Sequence, residues 1–92
     1  MIRADTRPRI ASKARLRYDR KTDRTMLLYP EKGLVLNPTA AEIAKLCTGE
    51  HSVAAIVSQL ASRYGKNTVE IESEVMKFLT ALAERGLLQE AT

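Results

Sequence analysis

The 92-residue chain has no tryptophan, one phenylalanine, one cysteine and one histidine, and each scarcity removes a class of chemistry. A lone thiol, Cys47, closes no internal disulfide, and with His51 it falls short of the usual ligand set of a structural zinc site. No stretch reaches the roughly 18 consecutive apolar residues of a membrane span, and the opening MIRADTRPRI lacks the continuous apolar core of a secretory signal. The expectation is a protein of a reducing, cytoplasmic compartment that neither spans nor targets a membrane. The four glycines, Gly33, Gly49, Gly65 and Gly86, are isolated from one another, so there is no glycine-rich phosphate loop.

The candidates for catalysis are few. His51 falls in a polar Gly-Glu-His-Ser turn, and no nucleophile with an orienting partner stands beside it in the pattern. Cys47 lies on the apolar stripe of a predicted helix near its C-terminal end, where burial and the helix dipole both disfavour a thiolate. Glu70, Glu72 and Glu74 crowd the first turns of another predicted helix and there meet the positive end of its dipole. The chain therefore reads as a non-enzymatic domain with no cofactor and no metal, and binding is the class of function to pursue.

What is present begins with ordinary globular composition, 45% hydrophobic and 28% charged, in a length that suits one domain. The net charge of +4 is unevenly spread. Residues 1–24 carry nine Lys/Arg against three Asp, a net of +6, whereas residues 25–92 carry six Lys/Arg against eight Glu, a net of −2. Residues 1–13, basic and interrupted by Pro8, show no sustained apolar period and read as a flexible tail ahead of a domain over residues 14–92.

From Arg15 apolar and basic residues alternate with period two, predicting a strand that turns Leu16 and Tyr18 inward. The polar run 19–23 is a turn, Thr25–Tyr29 a second strand, and Pro30-Glu31-Lys32-Gly33 a tight connection to a third, Leu34–Leu36. At Asn37-Pro38-Thr39 the period changes to 3.6, with Asn37 as cap and Pro38 at the first helical position. Ala40, Ile43, Ala44 and Cys47 make that helix's apolar face. A second helix follows Ser52 (Val53, Ile56, Val57, Leu60, Tyr64) and a third follows Asn67 (Ile71, Val75, Phe78, Leu79, Leu82). Three strands then three helices predict an α+β, winged-helix-like domain: a three-stranded antiparallel sheet covered by helices.

Two binding functions fit that architecture. A winged helix-turn-helix could read DNA, but its recognition helix should be basic, and the third helix offers Glu70, Glu72, Glu74 and Glu84 against Lys77 and Arg85. Alternatively, an extended peptide could join an open sheet edge, with the third strand as the hydrogen-bonding wall and the third helix as the apolar one. Met76 leaves the helix beside the stripe, and periodicity alone allows it to flank such a groove or to pack under a strand.

Leu27-Leu28-Tyr29-Pro30-Glu31, then Gly33-Leu34-Val35-Leu36-Asn37 and Ala40-Ala41-Glu42-Ile43, resemble the pyrroloquinoline quinone biosynthesis protein D family, PqqD. Ser52–Val57 and Val75–Leu79 fit the order of its later helices, although the tryptophan that members often carry in the second strand is absent. The resemblance implies a RiPP recognition element. Such a peptide chaperone binds a ribosomally made precursor peptide (PqqA) and presents it to a radical S-adenosylmethionine enzyme (PqqE), which crosslinks a glutamate and a tyrosine. In related recognition domains the peptide is an added strand against the third strand and beside the third helix, which by resemblance points here to Leu34, Val35, Leu36 and Asn37. On the helix, Met76, Leu79 and Lys77 are taken as the groove's flank, with Lys77 able to meet an acidic peptide side chain.

Overall fold

The structure, a computed structural model, describes residues 2–91. In chain order it comprises β1 (Arg7–Ile10), β2 (Arg15–Asp19), β3 (Arg24–Tyr29), β4 (Lys32–Leu36), α1 (Pro38–Leu46), α2 (Val53–Tyr64), α3 (Thr68–Glu84) and β5 (Leu88–Ala91). The three-stranded antiparallel sheet runs β2-β3-β4, and β1 pairs with β5 in a separate two-stranded ribbon. The α+β expectation of three antiparallel strands followed by three helices is met.

Local chemistry explains the boundaries. Asn37 Oδ1 accepts the Ala40 N–H at 2.7 Å with Pro38 in the first turn, and Ser52 Oγ accepts the Ala55 N–H at 3.1 Å. Asn67 Oδ1 accepts the Val69 N–H, and α2 ends on Gly65 at φ 62°, a left-handed cap that suits glycine. Tyr29-Pro30-Glu31-Lys32 closes the β3–β4 hairpin with Glu31 at φ 63°, where a glycine is usual.

Leu16, Leu27 and Leu34 stand abreast on the inner face of the sheet, and Leu27 and Leu36 join Ala41, Ala44, Leu82 and Leu87 in one buried cluster. Ile43, Ile56, Leu60, Ile71, Val75 and Leu79 form a second cluster between the helices. Leu27, Ile56, Leu60, Val75, Leu79 and Leu82 are fully buried. Each such side chain contributes roughly 1.5–3 kcal/mol through removal from water.

Two expectations differ. Tyr18 shares the inward register of Leu16 but sits near the sheet's end and is 56% exposed, its hydroxyl donating to Asp23. That bond, slight desolvation and the charges of Asp23 and Asp19 raise the Tyr18 pKa. Residues 1–13 were expected to form a flexible tail, yet β1 pairs residue by residue with β5, and Pro8 and Ala11 are buried. The carbonyls of Thr6 and Ala4 accept the N–H groups of Val53 and Ala54 at 2.8 and 2.9 Å, satisfying the exposed donors that open α2. Ile10 N–H and Gly49 N–H exchange bonds with Cys47 and Pro8 across the α1–α2 loop. These partners lie more than thirty-five residues away in sequence, so no local period announces them.

Candidate functional site

In an antiparallel pair, alternate residues direct their N–H and C=O to the neighbouring strand and the intervening ones direct theirs away. β4 has β3 on one side and, among the described residues, no strand on the other, so its outward set remains open to another strand. Its sequence, Lys32-Gly33-Leu34-Val35-Leu36, carries one charge, and Val35 is 49% exposed. An edge so lightly defended invites strand addition.

Beside the end of β4 lies a groove of about 360 Å³ between the start of α1 and the middle of α3. Asn37, Ala40 and Ile43 line it from one side, and Glu74, Lys77 and Phe78 from the other. The spacing 74, 77, 78 places these three side chains on one face of α3. Leu34 and Phe78, both half-buried, pack against the same buried cluster, which ties strand and helix to one support. Ala40, Ile43 and Phe78 make an apolar floor, while Glu74 and Lys77 are exposed at its rim. Among the described residues the ion pairs are Lys45–Glu42 and Arg63–Glu42, so both rim charges remain available to a ligand.

The predicted residues fare unequally. Asn37 and Lys77 line the groove from opposite sides, and Leu34, Val35 and Leu36 belong to the open strand, with the Leu36 side chain buried. Leu79 was expected on the groove's flank but is 0% exposed: it points between the helices into the core and offers a ligand nothing. Met76 also lies elsewhere. It lines a separate groove of about 440 Å³ on the far flank of α3, with Val53 and Val57 of α2 and with Ile2. One residue along a helix turns the side chain by about 100°, enough to carry Met76 away from the face of Lys77. Phe78, Glu74, Ala40 and Ile43 are additional lining residues. The sequence had shown Phe78 as one more member of an apolar stripe and Glu74 as one of several helix-opening acids, and the 74/77/78 spacing was the available signal.

Cys47 is not a reactive group. Its Sγ donates to the Ile43 carbonyl at 3.2 Å, and burial pushes its pKa up to about 12. Glu42 joins α1 to α2 by accepting from both Lys45 and Arg63. The Lys45 hydrogen bond, opposed by some desolvation and aided by the Lys45 and Arg63 charges, lowers the Glu42 pKa.

The family model for coenzyme PQQ synthesis protein D (PqqD) matches residues 24–88, which include β3, β4 and all three helices. The chain belongs to the PqqD family. Among its curated PqqD-family relatives, the PqqA binding protein of Rhodopseudomonas palustris (strain BisB5) is 41% identical over 86 residues, covering 94% of this chain and 84% of the relative. Among solved structures, the PqqD truncation of Methylobacterium extorquens PqqCD, described as a functional and stand-alone RiPP recognition element, superposes with a TM-score of 0.83. It is 29% identical and covers 97% of this chain and 95% of that one. A lasso peptide synthetase B1 complexed with its leader peptide shares the PqqD fold at TM-score 0.77, 24% identity and 90% and 98% coverage.

Proposed function

We propose that this chain is a peptide chaperone of pyrroloquinoline quinone biosynthesis that binds the precursor peptide PqqA and presents it to the radical S-adenosylmethionine enzyme PqqE. The observation that carries this reading is the unpaired β4 edge running beside an apolar groove whose rim holds Glu74 and Lys77. An extended peptide would add main-chain hydrogen bonds to the alternate residues of β4 that point away from β3, and alternate side chains would enter the groove over Ala40, Ile43 and Phe78. Lys77 would select a carboxylate and Glu74 a cation at neighbouring peptide positions. The names of the curated relatives, which describe PqqA binding, support the choice of peptide.

The test is an amide NMR titration of the labelled protein with PqqA and, separately, with random duplex DNA at physiological salt. Shifts gathered on Leu34–Asn37 and on Glu74, Lys77 and Phe78 with peptide, and none with DNA, are expected. Peptide-induced shifts confined to the Met76 groove would move the site, and a response to DNA alone would replace the reading with the winged-helix DNA binder.

A further inference from the structure

Apart from Val35, the outer face of the three-stranded sheet takes no part in the proposed peptide site. Its cross-strand rows are Arg17, Met26 and Val35, and Arg15, Leu28 and Gly33, with Arg24 beyond them. Met26 and Leu28 are half-buried, and their side chains lie over Gly33. A Cβ on Gly33 would meet Met26 Cε at 3.1 Å and Leu28 Cδ2 at 3.3 Å. The glycine thus lets two apolar side chains flatten into a platform that Val35 extends toward the β4 edge.

Beside that platform Arg15, Arg17 and Arg24 are exposed. Among the described residues both ion pairs involve Glu42, so none of these guanidinium groups is in a salt bridge there, although Asp19 stands opposite Arg24 in the next row of the same face. An apolar centre bordered by unpaired arginines has the composition of a protein-recognition patch, and it complements a surface with an apolar centre and a carboxylate rim. A second copy meeting it about a two-fold axis would set arginine rows against each other. Nucleic acid would find no aromatic side chain in these rows on which to stack, and no use for the platform.

We propose that this arginine-bordered outer face is the docking surface for an acidic patch on the enzyme that receives the peptide, separate from the peptide-binding edge. The identity of that partner rests on the function proposed above. Because Val35 lies both on this face and in the strand with the open edge, an enzyme seated here lies alongside the added peptide strand. Peptide and enzyme would then occupy the protein together.

The experiment measures affinity for purified PqqE and for PqqA by calorimetry, using the full chain and its Arg15→Glu/Arg17→Glu and Arg15→Lys/Arg17→Lys variants. The charge reversal is expected to weaken enzyme binding by roughly tenfold or more while peptide affinity stays within about twofold, and the lysine pair is expected to retain most of the enzyme affinity. Enzyme affinity should also fall with rising salt in the unaltered protein. Enzyme affinity unchanged by charge reversal would overturn the proposal, as would equal loss of both ligands or concentration-dependent self-association through this face. If the unaltered chain bound no PqqA yet bound PqqE in a charge-dependent way, the peptide reading would fall and the docking surface would stand.

Discussion

The two edges of one sheet are built from opposite materials. β2 is Arg-Leu-Arg-Tyr-Asp, charged at three of five positions, while β4 is Lys-Gly-Leu-Val-Leu, charged at one. Both present unpaired main-chain groups, and both pair with β3. Long, charged side chains on an edge make docking of another strand costly, because their hydration must be given up. The difference teaches that a free edge is not by itself a binding site. β4 is the edge proposed for the peptide because its side chains do not oppose a neighbour and because a groove lies next to it.

The largest effect should come from removing what holds that groove open. Leu79→Ala deletes a fully buried side chain behind the groove and is expected to cost about 2–5 kcal/mol in urea unfolding. Lys77→Ala, on the same helix but exposed, should stay within about 0.5 kcal/mol. Equal costs would mean that α3 is not divided into a supporting and a presenting face. Next, Val35→Pro removes an N–H from the receptive edge and should weaken peptide binding by roughly tenfold or more, read by calorimetry. Undiminished affinity would place the added strand elsewhere.

The defended edge is tested by disarming it. Arg15→Thr/Arg17→Thr should leave PqqA affinity within about twofold, while sedimentation shows new concentration-dependent association through β2. Peptide binding that improved would show the arginines to be competing with β4 rather than guarding β2. The smallest effect concerns Glu42, which fixes α1, one wall of the groove, to α2. Its folded pKa is lowered from 4.5, so its contribution is fully present above that value and is lost as pH falls through the lowered one. Since the pair is solvent-screened, Glu42→Gln should cost less than about 1 kcal/mol at neutral pH and flatten the acid limb of the stability curve.

The fold was legible wherever the signal was local. Asn37 before Pro38, Ser52 before Val53 and Asn67 before Thr68 act within one helical turn, and all three cap as their residue types require. Alternation from Arg15 and strand-compatible residue types from Thr25 gave strands whose inner leucines stand abreast. The site was legible in part. Leu34, Val35 and Leu36 lie on the open strand, and Asn37 and Lys77 line the groove, whereas Leu79 is in the core and Met76 on the wrong flank. An apolar stripe states that a face is covered, but not whether protein or a ligand covers it.

Composition, capping residues and periodicity therefore determined β2 to β4, the three helices and their order, because each depends on neighbours within a few positions in the chain. Tertiary structure alone decided three matters. It drew Arg7–Ile10 out of an unpatterned basic segment into a ribbon with β5, through hydrogen bonds to partners far along the chain. It left β4 without a second neighbouring strand among the described residues. It also rotated α3 so that Glu74, Lys77 and Phe78 face α1 while Met76 faces α2. A helix's rotation about its own axis is set by how side chains from distant elements pack, and a single stripe fixes it only to within about one residue's turn.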